Sequence, residues 1–272
     1  MTNMIYNILN RLIKTRAHSA WQMLLLGDLE YRLFRINQFN LSTAKMHEKT
    51  FTPFNNKFAG KEVAIIACGP SLNNYNPLPN VINIGVNRAY KDTRIVLDYL
   101  FVQDVQGCSR EELKEFNNYR KNGCQKFYGI SWESLDNDYP PYIVSESDVI
   151  SACALRYRTH KAMWIKGLIP RFPLDISTQP LADYSSVVFS AIQFALWTNP
   201  KTIYLVGCDC TNIGHFYEQN SGNGLATNEV AKGYTALKSF AHAYYPDTEI
   251  VSINPVGLKG LFKDIYQEKG SK

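Results

Sequence analysis

The stretch Val63 to Leu72, VAIIACGPSL, decides how this chain folds. Five successive apolar residues with no polar alternation make a strand buried on both faces, and such strands belong to parallel sheets covered on both sides. The run stops at Gly69-Pro70-Ser71. A glycine removes the side chain where another backbone or a ligand comes close, a proline fixes the turn, and a serine caps the next segment or offers its hydroxyl.

Working outward, similar short apolar runs recur at 81–86, 99–103, 125–128, 142–145, 202–207 and 249–253. Helical periodicity fills the gaps at 109–122, 183–198, 228–244 and 256–268. The alternation predicts an α/β fold, a Rossmann-like mostly parallel sheet with helices on both faces. This Rossmann-like domain is expected to span 51–272. Residues 147–180 break the rhythm, carrying Arg156, Arg158, His160, Lys161, Lys166 and Arg171 among aromatics and prolines, and read as an insertion beside the site. Residues 211–228, TNIGHFYEQNSGNGLATN, are too long for an idle connection and read as a lid.

Ahead of the domain, residues 1–50 read as an N-terminal helical extension. Met4, Ile5, Ile8, Leu9, Leu12 and Ile13 recur at helical spacing, and a second helical stretch covers 19–37. This apolar stripe suits packing on the domain, a homo-oligomer contact or peripheral contact with a membrane surface; its few basic residues favour the first two.

Composition narrows the function classes. At 272 residues with 45% hydrophobic content, the chain buries a substantial core. A net charge of +5 from 29 basic and 24 acidic residues is mild and scattered, so it suits a small anionic ligand and does not indicate nucleic acid. The six cysteines show neither CxxC nor Cys/His zinc spacing and read as reduced thiols of a cytoplasmic protein, with no structural metal. The first residues lack the pattern of a signal peptide, and no run of about 18 apolar residues is present.

In a parallel α/β sheet the ligand lies at the carboxyl ends of the strands, where strand order reverses. The ends here are Gly69-Pro70-Ser71-Leu72, Asn87-Arg88, Gln103-Asp104 and Gly207-Cys208-Asp209. The segment CGPSLNNYNP has neither P-loop spacing nor the three glycines of a dinucleotide turn. A helix expected from Asp183 carries Ser185 and Ser186 in its first turn, and its N–H groups and hydroxyls make an anion-binding end. Asp104 and Asp209 are candidates to bind a metal, orient an acceptor hydroxyl or bond a ribose. His215, the histidine of the expected lid, is a candidate general base.

Taken in order, VAIIACGPSL, VINIGVNRAY, SSVVFSAIQFALWTNPKTIYLVGCDC and EIVSINPVGLKGL resemble two related groups over about 61–266. One is the domain-of-unknown-function group that includes the archaeal 6-hydroxymethylpterin diphosphokinase-like proteins. The other is the bacterial sialyltransferases of glycosyltransferase family 42. The second resemblance implies that Gly69, Pro70, Ser71 and Asn87 contact a cytidine nucleotide, that Ser185 or Ser186 contacts the donor, and that Asp209 matches the aspartate after the YLVG strand. The sialyltransferases place an arginine just before the helix-start serine, where this chain has Ala182, Asp183 and Tyr184, and a histidine directly before the next helix, where it has Asn228.

The resulting expectation is a transferase of a nucleotide-activated group, a glycosyltransferase with a CMP-sugar-like donor and a surface-glycan acceptor. Arg88 or Arg156 would steady the leaving phosphate and no metal cofactor would be required. The alternatives are an ATP-dependent diphosphokinase using Mg²⁺ on Asp104 and Asp209, and a non-catalytic nucleotide-binding protein.

Overall fold

Strand β1 (Glu62–Ile66) sends alternate side chains to opposite faces, Val63, Ile65 and Ala67 into one apolar cluster and Ala64, Ile66 and Cys68 into another. A strand with two cores must lie in the interior of a sheet. In the computed structural model, which describes residues 37, 39–103, 109–120, 122–130, 155–159, 171–218 and 227–267, it does. The chain divides into two compact units, 1–42 and 43–272. Only 37 and 39–42 of the first are described, so the expected N-terminal helices lie largely outside the described residues.

The second unit opens with helical residues 43–51 (α1). Then come β1, β2 (Ile82–Val86), β3 (Tyr99–Val102), α2 (Arg110–Asn118), β4 (Gln125–Ile130), β5 (Leu155–Arg158), α3 (Val188–Trp197), β6 (Thr202–Val206), α4 (Thr227–Tyr244), β7 (Glu249–Ile253) and β8 (Lys263–Ile265). The eight strands form one sheet in the order β5-β4-β3-β2-β1-β6-β7-β8. Every pairing is parallel; Val63 sits between Ile82 and Ile203, and Ile65 between Ile84 and Leu205. The fold is the expected α/β Rossmann-like sheet. Strand order reverses at β1, between β2 and β6, so the C-terminal ends of those strands open the crevice.

One face is filled by α1, α3, α4 and the turn after α1. Helix α3 is apolar except for Ser190 and Gln193 and is buried from Val188 to Leu196. His47 of α1 is 0% exposed and ties two segments: its Nδ1–H donates to the Ile176 carbonyl at 2.8 Å, and its Nε2 accepts from the Arg158 N–H at 2.8 Å. Burial lowers its pKa to about 4, so the ring is neutral at physiological pH. The other face is covered by α2 and by short turns at 70–74 and 87–91.

Three expectations need correction. The segment 256–268 is not a helix: Gly257 and Gly260 interrupt its apolar spacing, Gly260 has φ +72°, and the chain turns and then adds β8 at the sheet edge. The segment 147–180 contributes β5, in register with β4 through Phe127 and Leu155, so part of it belongs to the sheet. Helix α3 starts at Val188 rather than Asp183, because Tyr184 and Ser185 take left-handed conformations at φ 38° and 61°. The strand expected at 142–145 lies outside the described residues.

Candidate functional site

The β1 and β6 chains stay zipped together beyond their last paired residues. Ala67 N–H donates to the Val206 carbonyl and Gly69 N–H to the Gly207 carbonyl, both at 2.8 Å. One step on, the backbone bond gives way to a side chain: Asp209 Oδ2 accepts from Ser71 N–H at 2.8 Å, while its Oδ1 accepts the Ser71 hydroxyl. This closeness explains the glycines. A Cβ on Gly69 would lie 2.5 Å from both Asp209 Oδ2 and the Gly207 carbonyl, and Gly207 itself has φ +65° with Ala67 O in the way. Asp209 is buried, which raises its carboxyl pKa, and the two bonds from Ser71 oppose that rise.

At this switch point lies a cleft of about 230 Å³. Gly69, Asn87, Gln103, Ser185, Asp209 and His215 are among the residues that line it, with Arg88, Ser186 and Tyr217 beside them. The expected site residues therefore meet, with distinctions. Of Gly69-Pro70-Ser71-Leu72 only the glycine lines the cleft. Ser71 gives its hydroxyl to Asp209, and Leu72 is in the core. Asn87 has φ 45°, tolerable for asparagine, and its Oδ1 accepts from Gln103 N–H at 3.1 Å, so its amide NH₂ is the half left for a ligand. Asp104 lies outside the described residues. Arg156 sits on the edge strand β5 and does not line the cleft.

Two walls face each other here. On the side of the 87–91 turn, Arg88 pairs with Glu112 and hydrogen-bonds the Tyr217 hydroxyl. Lys91 Nζ lies 5.2 Å from the Tyr217 ring centre and the His215 ring stacks on the same tyrosine at 5.1 Å. This part of the expected lid is pinned to β1, since Phe216 N–H donates to the Cys68 carbonyl at 2.9 Å. On the α3 side, Asp183 is buried and accepts from Gln103 Nε2 at 3.2 Å, Thr159 Oγ1 at 3.0 Å and Ser185 N–H at 3.2 Å. The Ser185 hydroxyl donates to Glu229 Oε2 of α4 at 2.6 Å.

Sequence reasoning placed Gln103 and Cys208 at the strand ends without giving either a role, and it missed Tyr217, Tyr234, Cys68 and Cys210 as cleft residues. Their signal was position: each cysteine follows β1 or β6 by four residues or fewer, and Tyr217 is an aromatic in a loop of glycines and asparagines. Burial pushes the Cys68 and Cys208 thiols up to about 12, so both stay protonated and neither is a nucleophile at neutral pH. Among the described residues no group of three histidine, cysteine or acidic side chains is placed to hold a metal ion. Both Asp209 oxygens already accept from Ser71, a poor fit to the Mg²⁺ alternative. No helix among the described residues is long and apolar enough to cross a membrane.

The fold is a parallel α/β Rossmann-like sheet with a cleft at its topological switch point, the place where open sheets of this kind take ligands. No protein family and no curated protein matches the sequence. Among solved structures, the chain is similar to a Maf glycosyltransferase from Magnetospirillum magneticum, at 12% identity and TM-score 0.46 over 87% of this chain and 39% of that one. It therefore spans well under half of that protein. It is also similar to the sialyltransferase CstII from Campylobacter jejuni in complex with a CMP-3FNeuAc substrate analogue, at 15% identity and TM-score 0.45 over 78% of this chain and 88% of that one. A CST-II structure with a trisaccharide acceptor and CMP gives 14% identity and TM-score 0.46 over the same shares. At this identity and overlap the likenesses carry no argument about activity.

Proposed function

We propose that the protein is a glycosyltransferase that takes a nucleotide-activated, CMP-sugar-like donor and modifies a bacterial surface glycan. The observation that carries this reading is the cleft between β1 and β6, where Gly69 and Gly207 bare backbone, Asn87 offers an amide donor and Arg88 and Tyr217 stand on the cationic side. The nucleotide lies along Gly69 and Asn87 with its phosphate toward Arg88. His215 takes the proton from the acceptor hydroxyl as that oxygen bonds the anomeric carbon. The bond from that carbon to the phosphate oxygen breaks, and its electron pair leaves with the phosphate. Arg88 and the Tyr217 hydroxyl stabilise the charge gathering there, the term that usually contributes most in such sites. Asp209, braced by Ser71, holds the β1 and β6 loops in place.

Calorimetry on the full chain tests this. CMP binding that is unchanged by EDTA supports the transferase. Binding of ATP only with Mg²⁺, with AMP release, would replace it with a diphosphokinase, and no nucleotide binding at all would end both readings.

A further inference from the structure

Arg88 is the cation that the proposed pose turns toward the donor phosphate, and it does not stand alone. Its guanidinium pairs with the Glu112 carboxylate of α2 and hydrogen-bonds the Tyr217 hydroxyl. The pair is sheltered, with the Glu112 side chain 17% exposed and that of Arg88 36%, so salt screens it less than a pair on the open surface. Two further contacts join the same turn to the same helix. Tyr90, two residues after Arg88, sets its ring 5.3 Å from that of the buried Phe116 and donates its hydroxyl to Glu115 Oε2 at 2.7 Å. Ser109 Oγ caps α2 by accepting the Glu112 N–H at 3.1 Å. Turn and helix are thereby fixed to each other. Glu112 is not among the residues that line the cleft, so it reaches a ligand only through Arg88. A guanidinium has five N–H donors, and a carboxylate and a hydroxyl do not exhaust them, but one carboxylate does offset its charge.

We propose that Glu112 is a positioning residue that acts through Arg88, offsetting its charge so that the cleft keeps a singly charged phosphodiester and lets go of a doubly charged phosphomonoester. The inference rests on the glycosyltransferase reading and its nucleotide pose. In that reaction the donor phosphate carries one negative charge, and the leaving phosphate oxygen gains a second with the electron pair of the broken bond. Near neutral pH the released monophosphate therefore carries a charge of about −1.5 to −2. An unopposed arginine would hold this product more tightly than the donor, and turnover would stall on it. Glu112, in contact with Arg88, repels the added charge while the guanidinium still hydrogen-bonds a phosphate oxygen.

The test is calorimetry on the full chain with ligands graded in charge: cytidine, the phosphate methyl ester of CMP and CMP itself, at about pH 8, where they are neutral, singly and doubly charged. Wild type should prefer CMP to the ester by less than about fivefold, and a larger preference overturns the proposal without any variant. Glu112→Gln should leave cytidine unchanged, tighten the ester about twofold and tighten CMP about fivefold or more. Glu112→Asp keeps the charge and should restore the wild-type order. Glu115→Gln removes a charge from the same helix without breaking the pair with Arg88, and it should not reproduce the gradient. Melting temperatures verify folding. A merely structural role for Glu112 would shift all three ligands alike; that result, or the same gradient in Glu115→Gln, overturns the proposal while the nucleotide reading survives. Failure of CMP to bind wild type is a different outcome, and it removes the nucleotide reading and this inference together.

Discussion

The two faces of the sheet solve the same packing problem with different aromatics. On the α3 face phenylalanines meet one another: Phe101 stacks on Phe127 at 4.4 Å, and Phe194 contacts Phe127 at 5.0 Å and Phe54 at 5.2 Å. On the α2 face the rings are largely tyrosines with hydroxyls tied to polar partners, Tyr90 to Glu115 and Tyr128 to Asn117 at 2.7 Å each, and Tyr119 to the Leu97 N–H at 3.0 Å. A Phe face holds by shape and exclusion of water, whereas a Tyr face tolerates polar neighbours at its rim. The side of the cleft lined by Ser185, Val187 and Val188 is continuous with the first face, and the side with Tyr217 with the second.

Three experiments bear on that contrast. The largest effect is expected from Phe194→Ala, which empties a site where six rings converge and should cost about 4 kcal/mol in urea unfolding. A loss below about 1 kcal/mol would mean that the Phe face repacks freely and the distinction is empty. Next comes pH. Because burial holds His47 near 4 in the native state, against about 6.5 when unfolded, the unfolded chain binds the extra proton first. Stability should therefore be full above about pH 6.5 and fall by up to about 3 kcal/mol as pH drops toward 4. Urea titrations at several pH values measure the slope, which should flatten in His47→Gln. The smallest effect belongs to the other face: Tyr90→Phe removes a hydroxyl bond to Glu115 near the surface and should cost below about 1 kcal/mol. If it matched Phe194→Ala, the Tyr face would be the more demanding of the two.

Much of the sheet could be read from the sequence because β1, β2, β3, β6 and β7 are short, apolar and bounded by turn residues. Strand β5 could not, since LRYR carries two arginines and its burial depends on neighbours far along the chain, among them His47. The expected helix at 256–268 shows the opposite error, a periodic apolar pattern overruled by glycines. Gly257 donates its N–H to the Asp209 carbonyl at 2.8 Å, and a Cβ there would come within 2.6 Å of that oxygen, a demand set by tertiary contact alone. For the site, the strand-end rule brought Gly69, Asn87 and Asp209 to one edge. It did not show that Ser71 faces Asp209 or that Ser185 is held by Glu229, because both pairings join residues remote in sequence and depend on how the loops cross.

The Ser71–Asp209 pair also bears on how the chain is made. Its partners stand 138 positions apart, and the β1–β6 ladder that aligns them spans a similar separation. A ribosome adding about 5–20 residues per second needs on the order of ten seconds to deliver the second partner after the first. Through that interval β1 has β2 on one edge and nothing from β6 on the other, leaving an apolar, buried strand half paired. Nascent chains stalled before β6 should therefore be the ones that chaperones hold and proteases cut, and the cleft should be among the last features to form.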